Sequence, residues 1–331
     1  MPFLVGLIMS AGAAAQTPPP IIDMHLHALP IDFQGPPPQT ICAPFSTFPA
    51  WDPKTDYREV FAKLGSDPGC TYPVISPTTQ DEVMEESLAI LEELNIIGVT
   101  SGPPPLVARW REAAPDRIIP GISFYLGPDA PSAEEIGRMY DDGRLEVFSE
   151  VAIQYQGFQP NHPEFSDYLE VAAEKDIPVG IHIGTGPPGS PYLGFVNYRA
   201  RMHSPLSLEE PLIEHPGLRV YVMHAGWPML DDTIALLYTH PNVYLGVGVI
   251  SYVLPRAEFH RYLRRIVEAG FGNRIMFGSD QMIWPEAIRI AIESIESADF
   301  LSEQQKRDIL YNNAARFLRL TEEQIAAHHG K

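Results

Sequence analysis

Eight apolar segments recur along the chain, and a stretch with helical character follows most of them. The segments are short and rich in Val, Ile and Leu, which favours strands that are buried on both faces. Helices join such parallel strands, and eight strand–helix units are the number that closes into a barrel. The order therefore predicts an α/β protein with a (β/α)8 TIM barrel, and a doubly wound open sheet is the alternative. The predicted strands are Ile21–His27, Ile96–Thr100, Ile118–Phe124, Leu145–Ile153, Pro178–Gly184, Arg219–Ala225, Val243–Ile250 and Arg274–Gly278.

Helical spacing of apolar residues marks several of the connections between these strands. Asp81 is the predicted N-cap of a helix whose apolar face runs from Met84 to Leu94. A C-terminal helical segment, residues 300–331, would pack outside the barrel. The other helices are predicted over Phe165–Lys175, Asp231–Tyr238, Arg256–Ala269 and from Ser302 to Leu320.

Residues 28–80, after the first strand, contain many Pro, Gly, Ser and Thr and little periodicity. A long irregular insertion in a compact domain is usually a lid or a binding loop. Both cysteines of the chain, Cys42 and Cys70, lie in it. In an exported protein they are expected to form a disulfide, and two unrelated free thiols are the alternative.

Residues 1–15 have the form of a signal peptide, with an apolar core and an Ala13-Ala14-Ala15 cleavage site before Gln16. No Lys or Arg precedes the apolar core, which departs from the usual signal pattern. We expect an exported protein, periplasmic or secreted, whose mature part is one barrel domain over residues 16–331. If the segment is not a signal, a cytoplasmic location is expected.

The charge of the chain limits its partners. The 23 Lys and Arg residues against 42 Asp and Glu residues give a net charge of −19, which repels nucleic-acid backbones. No later segment is long and apolar enough to span a membrane. We therefore expect a small-molecule substrate, no nucleic acid and no membrane after processing, and self-association into a homo-oligomer stays open.

Ionisable side chains stand at or near the ends of five of the eight predicted strands. In a TIM barrel these ends form the active-site face. Singly, a strand-end His is more often a hydrogen-bonded core residue, and a strand Glu can face outward. Together, buried groups of this kind need a common compensating charge, and imidazoles and carboxylates are ligands of Zn²⁺ and similar ions. The set predicts a metal centre and comprises His25, His27, Glu150, His182, His224 and Asp280.

The ordered motifs resemble the amidohydrolase superfamily over about residues 21–320. Asp-x-His-x-His on strand one, single His residues on strands five and six, and Gly-Ser-Asp on strand eight carry the likeness. His-Ala-Gly-Trp-Pro from His224, Met-Phe-Gly-Ser-Asp from Met276 and the segment Tyr311–Arg316 are most similar to its amidohydrolase-2 (amidohydrolase-related) family. The resemblance implies a TIM barrel with one or two metal ions. It also implies hydrolysis of amides, esters or lactones, or non-oxidative decarboxylation of small acids.

Carried over to this chain, the resemblance gives each residue an expected role. His25, His27 and Asp280 would ligate one metal, with His182 as a further ligand. His224 would bind a second metal or polarise the substrate carbonyl. Asp280 would take a proton from the metal-activated water and pass it to the leaving group. Asp280 and His224 are thus the expected catalytic residues.

The fourth strand departs from many binuclear relatives because it lacks the Lys that they carboxylate. Glu150 would replace it as a bridging carboxylate, as in TatD-like relatives, and an outward-facing Glu150 would leave a mononuclear site. Zn²⁺ is the expected ion from the N and O donors, with Mn²⁺, Fe²⁺ or Ni²⁺ as alternatives.

Substrate contacts are expected from the loop after strand five and from the residue that follows His224. Arg199 or Arg201 would clamp a substrate carboxylate as a bidentate fork, unless both are solvated loop charges. Trp227 would form a wall of the pocket, unless it is a core residue. The predicted function is a metal-dependent hydrolase of a small amide, ester or lactone. A decarboxylase on the same site and a non-enzymatic sugar- or metal-binding barrel are the alternatives.

Overall fold

A computed structural model describes residues 18–65, 70–184 and 186–330 of the chain. Its strands are β1 Ile21–His27, β2 Thr40–Cys42, β3 Pro73–Ile75, β4 Ile96–Ser101, β5 Ile118–Phe124, β6 Val147–Val151, β7 Val179–His182, β8 Val220–Met223, β9 Val243–Gly246 and β10 Ile275–Met276. Eight of them form the main parallel sheet in the order β1-β4-β5-β6-β7-β8-β9-β10, as the predicted barrel requires. The predicted signal peptide, residues 1–15, lies outside the described residues.

Helices connect the barrel strands and cover the outside of the sheet. The barrel fold is thereby confirmed, and the doubly wound alternative is wrong. The α-helices are α1 Tyr57–Ala62, α2 Gln80–Glu93, α3 Pro104–Ala113, α4 Ala133–Asp141, α5 Pro163–Glu174, α6 Glu209–Glu214, α7 Leu230–Thr239, α8 Ile250–Val253, α9 Arg256–Ile266, α10 Ala287–Glu296, α11 Glu303–Arg307, α12 Asn313–Phe317 and α13 Glu322–His328. Among the described residues, no helix combines the length and apolarity needed to cross a bilayer.

The segment that follows β10 closes the barrel against β1. Met24 N donates to the carbonyl of Phe277 at 3.0 Å, and Asp280 N donates to the carbonyl of His25 at 2.6 Å. The Gln281 side-chain amide also pairs with the backbone N–H and carbonyl of His27, which completes the seam between β1 and the segment after β10. The closure therefore fixes the positions of β1 and Asp280 relative to each other.

The fully buried Tyr221 side chain fills part of the barrel interior. Its hydroxyl donates to the carbonyls of Met24, at 3.1 Å, and Ser149, at 3.3 Å. Gly180 on β7 makes room for the ring, since a Cβ there would lie 2.4 Å from Tyr221 Cζ. Tyr221 belongs to a cluster of buried apolar side chains that includes Ile22, Met24 and Val147.

Several predicted boundaries are wrong by a few residues. The fifth, sixth and eighth strands end at His182, Met223 and Met276, so the predicted ends at Gly184 and Gly278 lie in loops and Ala225 lies in a 3-10 turn over His224–Gly226. Thr79, not Asp81, caps α2, because its side chain accepts from Glu82 N in a reciprocal capping box. The helix predicted over Arg256–Ala269 ends at Ile266 and continues as a π-turn over Val267–Phe271. α13 at Glu322–His328 lies within the C-terminal helical segment predicted over residues 300–331, beyond the helices predicted from Ser302 to Leu320.

The described part of residues 28–80 has more regular structure than its composition indicates. It contains the antiparallel pair β2–β3 and the helix α1. The expected disulfide is confirmed, since Cys42 and Cys70 are joined by a bond of 1.98 Å. Both cysteines are buried and pack with Phe45, which anchors the segment to the barrel through the carbonyl of Val253.

Candidate metal centre

The structure brings the six predicted ligand residues together at one end of the barrel. The Nε2 atoms of His25 and His27 lie 3.0 Å apart, so both rings face the interior as their spacing on one strand predicts. Glu150 Oε2 lies 3.5 Å from His27 Nε2, and Asp280 Oδ1 lies 3.1 Å from the same atom. The remaining two rings adjoin them, with His182 and His224 centroids 4.4 Å apart and His25 and His224 centroids 5.5 Å apart.

Two of these residues lie just past the ends of their strands in a left-handed backbone conformation. His224 has φ 56° and Asp280 has φ 54°. Such values are uncommon for residues other than Gly, although Asn, Asp and His adopt them more often than the rest, and they cluster at functional sites where the surrounding structure maintains them. For Asp280, the bond from its own N–H to the carbonyl of His25 holds this turn.

Neighbouring groups hold the β1 histidines in place. The Gln281 side chain accepts from His27 N at 2.9 Å and donates to His27 O at 2.6 Å. His27 Nδ1 lies 3.1 Å from the Ser101 hydroxyl. Asp23 Oδ1 accepts from the backbone N–H groups of His25 and Ser279, both at 2.9 Å. Burial raises the pKa of the Asp23 carboxyl above its ordinary value.

The electrostatics of the cluster keep Glu150 ionised. Burial raises the pKa of its carboxyl, but the adjacent His25 and His27 outweigh burial and hold this pKa well below its ordinary value. The reverse holds at His27, where burial lowers the pKa and Asp280 and Glu150 raise it above the ordinary value. The cluster therefore contains the anionic Glu150 carboxylate next to imidazole nitrogens.

Two of the four imidazoles are held neutral. Burial, with a contribution from the neighbouring His224, lowers the pKa of His182 well below its ordinary value. Burial also lowers the pKa of His224, whose Nδ1 lies 2.9 Å from the carbonyl of Gly248. A neutral His224 that donates from Nδ1 carries its lone pair on Nε2. That Nε2 is buried and has no hydrogen-bond partner in the described structure.

The donor set fits a divalent cation. Neutral imidazole and carboxylate are ligands of Zn²⁺ and related ions, and unpaired buried nitrogens are expensive without a partner. The candidate ligand sets share residues, so the centre can hold one ion or two neighbouring ions. Three overlapping sets have their ligand atoms within 4.8 Å of one another: His25, His224 and Asp280; His25, His27 and Glu150; and Glu150, His182 and His224.

The predicted substrate residues are not in this cluster. Arg199 and Arg201 are exposed, and the Arg199 guanidinium donates to the carbonyls of Val196 and Tyr198 in its own loop. Trp227 is half-buried and donates from Nε1 to Glu258 at 3.1 Å.

Three residues near the site were not predicted from the sequence. Gln281 is the clamp on His27. Tyr155, just past β6, places its hydroxyl 3.3 Å from His182 Nε2, and burial raises the pKa of this hydroxyl well above its ordinary value. His203 is fully buried with its ring 5.8 Å from that of His182, and burial lowers its pKa to about 4. Only its position in a strand-following loop pointed to His203, and no sequence signal marked Gln281.

The comparisons with known proteins agree with the fold. A sequence model of the amidohydrolase family matches residues 22–320. Among curated proteins, fluG of Emericella nidulans is 22% identical over 165 residues, which are 45% of this chain and 18% of that protein. This chain therefore matches less than a fifth of fluG.

Solved structures share the fold at low identity. A probable 2-pyrone-4,6-dicarboxylic acid hydrolase from Acinetobacter baumannii is 16% identical, with a TM-score of 0.57 over 91% of this chain and 99% of that one. A 5-carboxyvanillate decarboxylase from Novosphingobium aromaticivorans, complexed with manganese and a nitrobenzoic acid, is 14% identical, with a TM-score of 0.58 over 93% and 100%. At these identities the likeness establishes the fold alone.

Proposed function

The chain belongs to the amidohydrolase family, and from that membership we propose that it is a metal-dependent hydrolase of a small amide, ester or lactone. A bound divalent ion supplies Lewis acidity and an activated water at such a site. Zn²⁺ is the proposed ion, in one or two copies. The residues proposed to hold it are His25, His27, Glu150, His182, His224 and Asp280.

One observation favours hydrolysis over decarboxylation. In the described structure, every ion pair of Glu150 and Asp280 is with a histidine. An acid substrate would bring a further carboxylate to this cluster, and a guanidinium fork is the usual partner for such a group. Arg199 is exposed and bonded to its own loop. The site is therefore better suited to an uncharged scissile group.

Asp280 is the proposed general base. Its Oδ1 lies 3.1 Å from His27 Nε2 and its Oδ2 lies 3.8 Å from His224 Nδ1, so the carboxylate faces the centre of the cluster. From there it can take a proton from the attacking water and return it to the leaving group. The lone pair on His224 Nε2 favours ligation of a second ion over polarisation of the carbonyl, because a neutral imidazole with this tautomer has no proton to donate there.

The test is turnover by the metal-loaded protein. We expect Zn²⁺- or Mn²⁺-reconstituted protein to release acid from a panel of 4-nitrophenyl esters, lactones and anilides. Asp280→Asn should lose this activity while it keeps its fold. Full metal occupancy without turnover on the whole panel would overturn the proposal and favour a non-enzymatic binding barrel.

Decarboxylation is the alternative reaction. A likeness in fold to 5-carboxyvanillate decarboxylase supports considering it. Incubation with small aromatic acids distinguishes the two reactions, because decarboxylation releases CO₂ and hydrolysis does not. CO₂ release, with every ester, lactone and anilide left intact, would reverse the assignment.

We also propose that the chain is exported. The buried disulfide between Cys42 and Cys70 supports this, since such bonds persist mainly in oxidising compartments. Mass spectrometry of the protein recovered outside the cytoplasm should give an N-terminus at Gln16. Intact protein starting at Met1 and recovered only from the cytoplasm would contradict export.

A further inference from the structure

The loop of residues 186–203, between β7 and α6, forms one side of the candidate centre. Its Phe195 ring packs 4.7 Å from Tyr155, whose hydroxyl contacts His182. At its end, the buried His203 ring packs 4.5 Å from Tyr198 and 5.8 Å from His182. The position of this loop therefore determines the shape of the space next to the metal ligands.

Among the described residues, a single hydrogen bond attaches the middle of this loop to another element. The Tyr57 hydroxyl donates to the carbonyl of Pro188 at 2.7 Å. Between residues 187 and 202, every other hydrogen bond in the described structure is made within the loop itself. Within the part of the chain that the structure describes, Tyr57 thus provides the one hydrogen bond between this loop and another element.

Aromatic packing reinforces the link. The Trp51 and Tyr57 rings lie 4.6 Å and 5.8 Å from the ring of Tyr192 and 5.4 Å from each other. Tyr57 is only 6% exposed, and its ring fits directly over Gly189, where a Cβ would lie 2.2 Å from Tyr57 Cε1. Gly189 has φ 74°, so its backbone turn also requires glycine.

The disulfide holds the other side of this contact. Trp51 and Tyr57 lie in the segment that Cys42 and Cys70 close. Closing a loop covalently restricts the conformations available to its residues. The bond from Phe45 N to the carbonyl of Val253 fixes the same segment to the barrel at 3.0 Å.

We propose that Tyr57 is a positioning residue, which holds the loop of residues 186–203 against the metal centre. It acts through Pro188 and Tyr192 and does not touch the metal ligands. The effect of Tyr57 on substrate binding rests on the proposed function, whereas its contact with the loop does not. Tyr57 contacts the loop and not the metal ligands, so we expect it to affect the position of the loop alone.

Hydrogen exchange of the metal-loaded protein tests the hold directly. In Tyr57→Ala, peptides from residues 186–203 should exchange at least tenfold faster than in the parent, with β1 and β8 unchanged. Tyr57→Phe keeps the ring and should stay within about threefold of the parent. Tyr72→Ala, a matched loss of an exposed tyrosine from the same insertion, should have no effect.

The Cys42→Ser, Cys70→Ser double variant should speed exchange of the same loop. Equal exchange of residues 186–203 in Tyr57→Ala and the parent would overturn the proposal. So would a uniform increase that includes β1 and β8, since that is general destabilisation. Hydrogen exchange needs no turnover. If the protein cleaves nothing in the panel, the proposed function fails, and the exchange experiment still tests the role of Tyr57.

If a 4-nitrophenyl ester is cleaved, its kinetics provide a second test. Tyr57→Ala should raise KM at least fivefold, with kcat within about twofold and metal content unchanged, and Tyr57→Phe should restore most of the KM. A fall in kcat with an unchanged KM would contradict a role of Tyr57 in positioning the loop that contacts the substrate.

Discussion

A single methyl group added at Gly248 should displace two proposed metal ligands. Gly248 follows β9, and a Cβ there would lie 2.6 Å from His25 Nδ1 and 3.1 Å from Asp280 Cβ. Contacts below 3.4 Å are unusual for a Cβ, so the His25 ring must move by about 0.8 Å, the difference between 3.4 and 2.6 Å. Metal–ligand distances tolerate only about 0.2 Å. The Gly248→Ala variant should therefore lose His25 as a ligand.

The expected loss of metal affinity is at least about 10–100-fold, the range seen when groups that orient ligands are removed. Competition with a chromogenic chelator measures this affinity. Gly246→Ala is the matched control, because its Cβ would meet only the Tyr221 ring, at 3.4 Å. Guanidinium unfolding of the metal-free proteins shows whether each variant keeps its fold. Parent-like metal affinity in a folded Gly248→Ala protein would refute the roles given to His25 and Asp280.

Further substitutions separate the roles of individual residues. Asp280→Asn should lower kcat by about 100- to 10,000-fold, the usual contribution of a general base, with little change in stability by thermal melting. Glu150→Gln should halve the metal content of a two-ion centre in elemental analysis, and an unchanged content would rule out bridging. Gln281→Leu removes two bonds to the His27 backbone and should lower the free energy of unfolding by about 2 kcal/mol, at roughly 1 kcal/mol for each bond. Below pH 6.5 the metal-free protein should become less stable. His203 binds a proton there in the unfolded chain, whereas in the folded protein its pKa is lowered to about 4. This histidine contributes about 3 kcal/mol to the loss, at about 1.4 kcal/mol per pH unit, so urea unfolding of His203→Gln should show a shallower pH dependence.

The barrel and the place of its polar groups were predictable because both follow from local pattern. Apolar runs predict strands. The carboxyl ends of the strands in a TIM barrel lie on one face, which places His25, His182 and Asp280 together without knowledge of the tertiary structure. Glu150 was placed in a strand, and the contact with His27 shows that it faces inward.

Contacts between distant segments were not predictable in the same way. Gln281 reaches His27 across the barrel seam, and nothing local to residue 281 indicates this bond. The left-handed turn at His224 is set by its surroundings, so the predicted strand ran on to Ala225. Arg199 has the chemistry of a carboxylate clamp, but loop conformation directs its guanidinium to its own backbone.

Anomalous diffraction from crystals grown with Zn²⁺ or Mn²⁺ is the most direct test of a metal centre at the barrel mouth. We predict a strong peak within about 2.0–2.3 Å of Nε2 of His25 and His27 and of an Asp280 carboxylate oxygen. The same crystals of His27→Ala should lack it. A catalytically active crystal with no peak among these residues, or with its metal bound elsewhere, would contradict the account.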